Sequence, residues 1–579
     1  MKSIHELLPI FGYNKFRPLQ QEAIQALLNK HDVLLISPTG GGKSLVYQMS
    51  AMMLDGVAII VCPLLALMTQ QVRILKDKGV KAEFLNSTLN PGEQDDLVWG
   101  LRNKAIDLLF LSPEKLSQPS VLGVLSHIDI AFFAIDEAHC ITQWGNDFRP
   151  EYGTLCFIRE GFPDIPIIAM SGTADQATQE NIITSLKLQA PHRLARSFNR
   201  ENIEFIVSQK KMAKHQVHHF LLNEAMGWSG VIYCRSRKKA EELSHWLNDI
   251  GIDSLFFHAQ MEQTQKVKNI ERFSQEDGLV MVATSAFGMG IDIKKIRFVV
   301  HIDLPPSIEA FYQEVGRAGR DGRVAKSLLL YGLQDILKLL QFTTEEENSN
   351  SSSMTEVLQF IALLEQRGCR KKAIMSHFGE KIEDCQNCDR CLKKRDEQNV
   401  TIATQKLLSL IHHTKGVIST STLIQILLGK MTKPVTQIEG HRFPLFAQGR
   451  ELSEVTWKTI IRYLIANEYI SITQFTPLQI RLVNKARKIL RGEEQVIISS
   501  DFHMSRDNQI DVDKQPIRLK LLKWYHSLDS VEFMTLNQLE SIAKHQPQTI
   551  AAMSRLTGVG TDIMERVGAP ILKILKSKN

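Results

Sequence analysis

The stretch Val33-Leu34-Leu35-Ile36-Ser37-Pro38-Thr39-Gly40-Gly41-Gly42-Lys43-Ser44 decides the fold. Four apolar residues without polar alternation make a strand buried on both faces. Three glycines follow, then a Lys-Ser pair that opens a helical pattern. Glycine lets the backbone N–H groups of such a turn approach phosphate oxygens, and the next helix N-terminus favours negative charge. Lys43 can then reach the β- and γ-phosphates of a nucleoside triphosphate, and the Ser44 hydroxyl can ligate Mg²⁺. Thr39, Gly40, Gly41, Gly42, Lys43 and Ser44 are therefore candidate nucleotide-binding residues. The ordinary P-loop has Gly where Ser37 stands, so this is a variant of it.

Similar apolar runs recur at Val57–Val61, Leu108–Leu111, Phe132–Ile135 and Ile167–Met170, then at Val231–Tyr233, Val280–Val282 and Phe298–Val300. Short buried strands alternating with amphipathic stretches give parallel α/β sheets. A break near residues 196–210 divides this region into two halves of similar size. Asp136-Glu137-Ala138-His139 closes the run Phe132–Ile135. Ligand sites of parallel sheets lie at such carboxyl ends. There Asp136 would hold Mg²⁺, and Glu137 would orient or deprotonate an attacking water. A P-loop with an acidic pair on its own buried strand reads as an ATP-hydrolysing enzyme, and no acceptor site marks a kinase.

The chain has 579 residues, 44% hydrophobic and 23% charged, which suits several soluble domains. No uninterrupted apolar stretch is long enough to span a membrane, and the N-terminus lacks the apolar core of a secretory signal. A cytoplasmic protein is expected. The net charge of +6 fits either ordinary surface charge or a basic groove on a neutral body. Four of the eight cysteines form Cys369-x15-Cys385-x2-Cys388-x2-Cys391. Four thiolates in one local stretch of a chain of this length indicate a closed, structural Zn²⁺ site rather than disulfides. The rival is a redox dithiol, but no thioredoxin-like unit surrounds it.

Together with Ser171-Gly172-Thr173-Ala174 and Gln313–Gly322, the P-loop and the acidic pair resemble superfamily 2 helicases. Those enzymes have two RecA-like domains with ATP between them. Phe11-Gly12-Tyr13-Asn14-Lys15-Phe16-Arg17-Pro18-Leu19-Gln20 resembles the N-terminal adenine-recognition motif of the RecQ family in particular. The resemblance implies that the Gln20 carboxamide pairs with the adenine edge, an edge chemistry also used on DNA. Tyr13 and Arg17 would stack on the ring. It further implies that Arg320, assisted by Arg317, supplies cationic charge to the γ-phosphate as an arginine finger. The segment Cys140–Tyr152 resembles the RecQ aromatic-rich loop, with Trp144, Phe148 and Arg149 as DNA-contacting candidates. Trp144, Phe148 and Tyr152 also have the spacing of a helical core stripe, but Gly145 and Pro150 favour a loop.

Further along, the cysteine cluster fits the RecQ zinc module. Glu454–Leu464 and Lys485–Glu493 resemble its winged helix, with a short wing whose tip lies near Phe475–Pro477. Residues 535–577 resemble an HRDC domain, and Leu556–Gly560 resembles a phosphate-binding hairpin turn. A protein-docking role remains open for both of these last units. The expected division is residues 1–200 and 201–342 for two RecA-like domains and 343–397 for a polar linker plus zinc module. Residues 398–492 form the winged helix, 493–514 a linker and 515–579 a small all-α HRDC-like domain. The implied activity is 3′-to-5′ DNA unwinding driven by ATP hydrolysis, in repair, recombination and replication. Cofactors would be ATP, Mg²⁺ and Zn²⁺. Partners would be single-stranded and forked DNA and a single-strand-binding protein, with the chain itself a monomer. A rival reading is an ATP-driven translocase that does not separate strands.

Overall fold

The computed structural model describes residues 4–38, 40–63, 65–86, 89–143, 150–288, 293–345, 351–393, 396–475, 478–499, 517, 520–521, 524, 536–557 and 561–576. Its first sheet has seven strands: β1 Val33–Ile36, β2 Val57–Val61, β3 Ala82–Leu85, β4 Leu108–Leu111, β5 Ile130–Ile135, β6 Ile167–Ser171 and β7 His192–Ala195. Their order is β3-β4-β2-β5-β6-β1-β7, and every pairing is parallel. This order sets the carboxyl ends of β1, β6 and β5 side by side. The P-loop, the Ser171 segment and the Asp136-Glu137 pair therefore converge although they are far apart in sequence.

A second sheet contains β8 Ile203–Gln209, β9 Gly230–Tyr233, β10 Ser254–Phe257, β11 Val280–Ala283, β12 Phe298–His301 and β13 Ala325–Tyr331. Its order is β10-β11-β9-β12-β13-β8, again all parallel. Residues 196–202 join the sheets, a shorter break than expected because β8 already belongs to the second. The strands expected from apolar runs are all present. The run rule did not find β3, which carries Glu83, or β7, whose side chains are mostly exposed, or β8, β10 and β13, whose apolar runs are interrupted or opened by Glu204, Ser254 and Lys326.

The polar connector expected over residues 343–353 is shorter than that. Helix Leu333–Glu345 runs into it, and helix Ser351–Glu365 starts before its end. Within the first of them, Thr343 Oγ1 donates to the Leu340 carbonyl at 2.8 Å. The cysteines follow, around helices Arg370–His377 and Asp389–Leu392. Next come helices Thr401–His413, Thr420–Leu427, Lys433–Gln437 and Glu454–Ala466. They precede an antiparallel hairpin of β15 Ile470–Phe475 and β16 Leu478–Leu482. Residues 476 and 477 of the expected wing tip lie outside the described residues.

The linker expected from residue 493 is corrected. β17 Ile497–Ser499 returns to pair antiparallel with β14 Glu397–Asn399, closing the winged-helix unit on itself. Buried Val496 and Ile498 anchor that return. Helices Leu536–His545, Ile550–Thr557 and Thr561–Lys576 share a separate core of Leu539, Ile542, Met553 and Ile571. The Gly558-Val559-Gly560 turn lies outside the described residues. Among the described residues, no helix is long and apolar enough to cross a membrane.

Candidate nucleotide and zinc sites

The P-loop turn enters the helix Lys43–Ala51 through Gly42, at φ +81°. The left-handed backbone there favours glycine, and a Cβ would lie 2.5 Å from Gln20 Nε2, so a side chain would also push the Gln20 carboxamide aside. Lys43 Nζ donates to the Ser37 carbonyl at 2.9 Å, across the mouth of the loop. From the N-terminal motif, Gln20 Nε2 donates to the Gly42 carbonyl at 2.8 Å, and Arg17 donates to the Gly40 carbonyl. The Arg17 backbone N–H donates in turn to Gln20 Oε1 at 2.7 Å. The expected adenine-recognition residues therefore grip the phosphate-binding turn itself.

A cavity of about 320 Å³ is lined by Tyr13, Arg17, Gln20, Gly40, Gly42, Lys43, Ser44, Asp136, Glu137 and, from the second domain, Lys294 and Arg320. The Arg320 side chain lies against Gly40, with its Cγ 3.0 Å from where a Cβ would stand. Lys294 stands 5.9 Å from the centre of the Tyr13 ring. It was missed because no motif marks it; only closure of one domain on the other brings it to the cavity. Thr39 lies outside the described residues. Arg317 does not line the cavity. It is buried beside the Tyr233 side chain and Gly288.

Asp136 and Glu137 sit at the end of β5. Glu137 holds a left-handed φ of +50°, a conformation that costs a non-glycine residue energy and persists only where surroundings enforce it. Burial, with the Glu137 charge adding to it, pushes the Asp136 carboxyl up to about 7. A buried acid beside another acid fits a site that gains a divalent cation, which would restore the charged form. His139 Nδ1 lies 3.0 Å from Ser171 Oγ and 3.5 Å from Glu137 Oε2. Burial lowers the pKa of its ring. Ser171 Oγ also donates to the Thr173 carbonyl at 2.9 Å. The acidic pair is thus wired to the segment after β6, a link no spacing rule reveals.

Trp144, Phe148 and Arg149 lie outside the described residues. Tyr152, the third aromatic of the stripe, is a core residue: it is 1% exposed, and its hydroxyl donates to the Asp136 carbonyl at 3.1 Å. Tyr152 is thereby tied to the backbone of the acidic pair.

The four sulfurs of Cys369, Cys385, Cys388 and Cys391 lie within 4.8 Å of one another. Cys385 and Cys391 are 3.9 Å apart. A tetrahedron with Zn–S of about 2.3 Å places its sulfurs roughly 3.8 Å apart, so the set fits zinc. Backbone N–H groups of Lys372 and Cys385 donate to the Cys369 sulfur. Hydrogen bonding by the Cys385 thiol, with backbone N–H groups, draws Cys388 down to about 5, while burial raises Cys391 to about 12. Such a cluster can ionise throughout only around a cation.

Four family models match consecutive parts of the chain. They are the DEAD/DEAH box helicase (residues 17–182), the helicase conserved C-terminal domain (211–322), the RecQ zinc-binding module (333–392) and the RQC domain (394–506). A protein of Pasteurella multocida named ATP-dependent DNA helicase RecQ is 35% identical over 98% of this chain and 92% of its own length. The chain belongs to the RecQ family. A Haemophilus influenzae protein of the same name is 35% identical over 98% of this RecQ-family chain and 95% of its own length. The corresponding figures for the Bacillus subtilis protein are 33%, 84% and 83%. A DEAD-box helicase bound to single-stranded RNA shares the fold at a TM-score of 0.50 and 15% identity, covering 81% of this chain and 89% of the other.

In a RecQ-family site the Gln20 carboxamide is expected to set base preference. Gln20→Ala should narrow the ratio of kcat/KM for ATP over GTP by about tenfold, one good base-edge contact being worth roughly 1–3 kcal/mol. Steady-state hydrolysis of both nucleotides measures it. An unchanged ratio would show that Gln20 only braces Gly42.

Proposed function

We propose that this protein is an ATP-dependent DNA helicase that moves 3′-to-5′ on single-stranded DNA and separates strands in repair, recombination and replication. The observation that carries the reading is the contact of Arg320, from the second domain, with Gly40 of the P-loop. It lets hydrolysis depend on closure, and closure alternating with opening is a stepping cycle. Lys43 and the backbone N–H groups of Gly40, Gly41 and Gly42 hold the phosphates, with Thr39 at the same turn. Tyr13, Arg17 and Gln20 hold the base. Ser44 and Asp136 bind Mg²⁺, which neutralises phosphate charge when present. Glu137 orients the attacking water, Arg320 meets the γ-phosphate, and Arg317 supports it.

Trp144, Phe148 and Arg149 contact the single strand. Base stacking on an aromatic ring suits a sequence-tolerant motor at about 1–3 kcal/mol per base. Supporting that role, Tyr152, the next aromatic along the chain, hydrogen-bonds the Asp136 carbonyl. Cys369, Cys385, Cys388 and Cys391 hold structural Zn²⁺. The two RecA-like domains divide near residue 200, and the zinc module and winged helix follow, the latter running to about residue 499. The last three helices form an HRDC-like unit. The protein acts as a monomer in the cytoplasm at the nucleoid, on forked DNA and beside a single-strand-binding protein.

A fork-unwinding assay run beside single-strand-stimulated ATPase tests the reading. Lys43→Ala should abolish both. Wild-type protein that hydrolyses ATP on single strands but leaves forks paired would instead be a translocase, for which the short β15–β16 hairpin is the feature to examine.

A further inference from the structure

The seven residues between the sheets, 196–202, are held from two sides. On one side stands the zinc module. Glu380 accepts hydrogen bonds from Ser197 Oγ at 2.7 Å and from the Phe198 backbone N–H at 2.6 Å. Lys371, buried two residues after Cys369, donates to the Arg200 and Glu201 carbonyls at 3.0 and 3.2 Å. Asn387, between Cys385 and Cys388, donates to the Glu201 carbonyl at 2.8 Å. The Phe198 ring packs on Phe378 of the zinc module, centroids 4.7 Å apart, and its carbonyl accepts from Tyr312.

On the other side stands the loop that carries Arg317 and Arg320. The Arg200 guanidinium donates to the Ala318 and Gly319 carbonyls at 2.9 and 2.8 Å, and to that of Gly316 at 3.3 Å. Asn202 Nδ2 donates to Gly319 as well, at 2.9 Å. Charged donors on carbonyls in a partly buried site make the stronger class of hydrogen bond and fix direction as well as distance. A continuous set of bonds therefore runs from the cysteine cluster, through the connector, to the loop whose Arg320 rests on the P-loop.

From this we infer that the zinc module positions the arginine that meets the nucleotide: Glu380 and Lys371 are positioning residues for ATP hydrolysis, acting through Arg200. The inference rests on the nucleotide-site assignment made above. Its physical basis is leverage. The connector is the covalent hinge between the domains, and Arg320 must be placed to a fraction of an ångström to act on developing charge. A hinge clamped by a folded metal module permits fewer closed geometries than a free one.

The test uses the full chain with its zinc. Glu380→Ala and Arg200→Lys are each expected to lower kcat for DNA-stimulated ATP hydrolysis about tenfold, with KM for ATP within twofold. Zinc content and thermal midpoint should match wild type. In series they should not multiply: the double variant should lose little more than either single one, since both cut the same connection. Glu380→Gln, which keeps one acceptor oxygen, should recover part of the loss. Unchanged kcat in Glu380→Ala, or losses that multiply in the double variant, would overturn the inference. So would a kcat loss that follows lost zinc or a lower midpoint, because that marks a purely structural role. Wild-type protein without ATPase activity would instead refute the nucleotide site itself.

Discussion

Arg320→Ala should lower kcat for ATP hydrolysis about 10³-fold, at the low end of what an arginine finger supplies. That corresponds to about 4 kcal/mol of transition-state stabilisation. The reason is geometric. Arg320 comes from the second domain, yet its aliphatic stem lies on Gly40 and its head reaches the cavity that Lys43, Asp136 and Glu137 line. On the proposed assignment, the Arg320 cation would stand where negative charge shifts in hydrolysis only when the two domains are closed. ATP binding depends more on the first domain, so affinity for a non-hydrolysable analogue should fall only a few-fold. Arg320→Lys should restore little, because a point charge on a flexible stem does not reproduce a guanidinium fork. Arg317→Ala offers the contrast: this buried side chain should cost more in thermal midpoint and less in kcat. Single-turnover hydrolysis with saturating DNA measures these losses, and an Arg320→Ala enzyme within tenfold of wild type would remove the assignment.

The second large effect concerns the cysteines. Cys388→Ser should abolish stable zinc binding and lower the thermal midpoint by more than 10 °C, with loss of soluble protein. Structural zinc contributes about 10–16 kcal/mol in small zinc-finger peptides, and metal loss there is loss of folding. Cys388 is fully buried and forms an isolated parallel bridge with Phe205 of β8, so the replaced ligand sits where the module joins the second sheet. Around it, Arg370 and Asp389 form a buried ion pair at 3.1 Å that depends on the same fold. Metal analysis of purified protein and a thermal melt test this together. A folded, active Cys388→Ser protein lacking zinc would show that the four sulfurs are incidental to stability.

Much of this was legible in residue order because local physics dictates it. A four-residue run with no polar alternation has to be buried on both faces, so β1, β2, β4 and β5 follow from their residues alone. Glycines before Lys43 are required by a turn with positive φ and close backbone approach. Four cysteines at short spacing bring soft ligands together whatever surrounds them. Strands that fail those rules stayed hidden: β7 is exposed, and β17 is a three-residue strand that pairs with β14 from the far end of its unit. The polar connector after the second sheet was overestimated because polar residues such as Thr343 and Ser353 lie inside the ends of the two flanking helices.

The sequence by itself determined the two-sheet architecture, the phosphate-binding turn, the acidic pair, the cysteine cluster and, through motif resemblance, the family. The tertiary structure alone decided that Arg320 rests on Gly40 while Arg317 is buried away from the cavity, that Tyr152 belongs to the core, that Lys294 faces Tyr13, and that the zinc module holds the connector between the sheets. The division has one physical cause. Strand burial, turn conformation and short-range ligand spacing are set by neighbours within a few residues. Contacts such as Arg320 on Gly40 or Glu380 on Phe198 join positions far apart in the chain, and only the order of strands and the packing of domains fixes them.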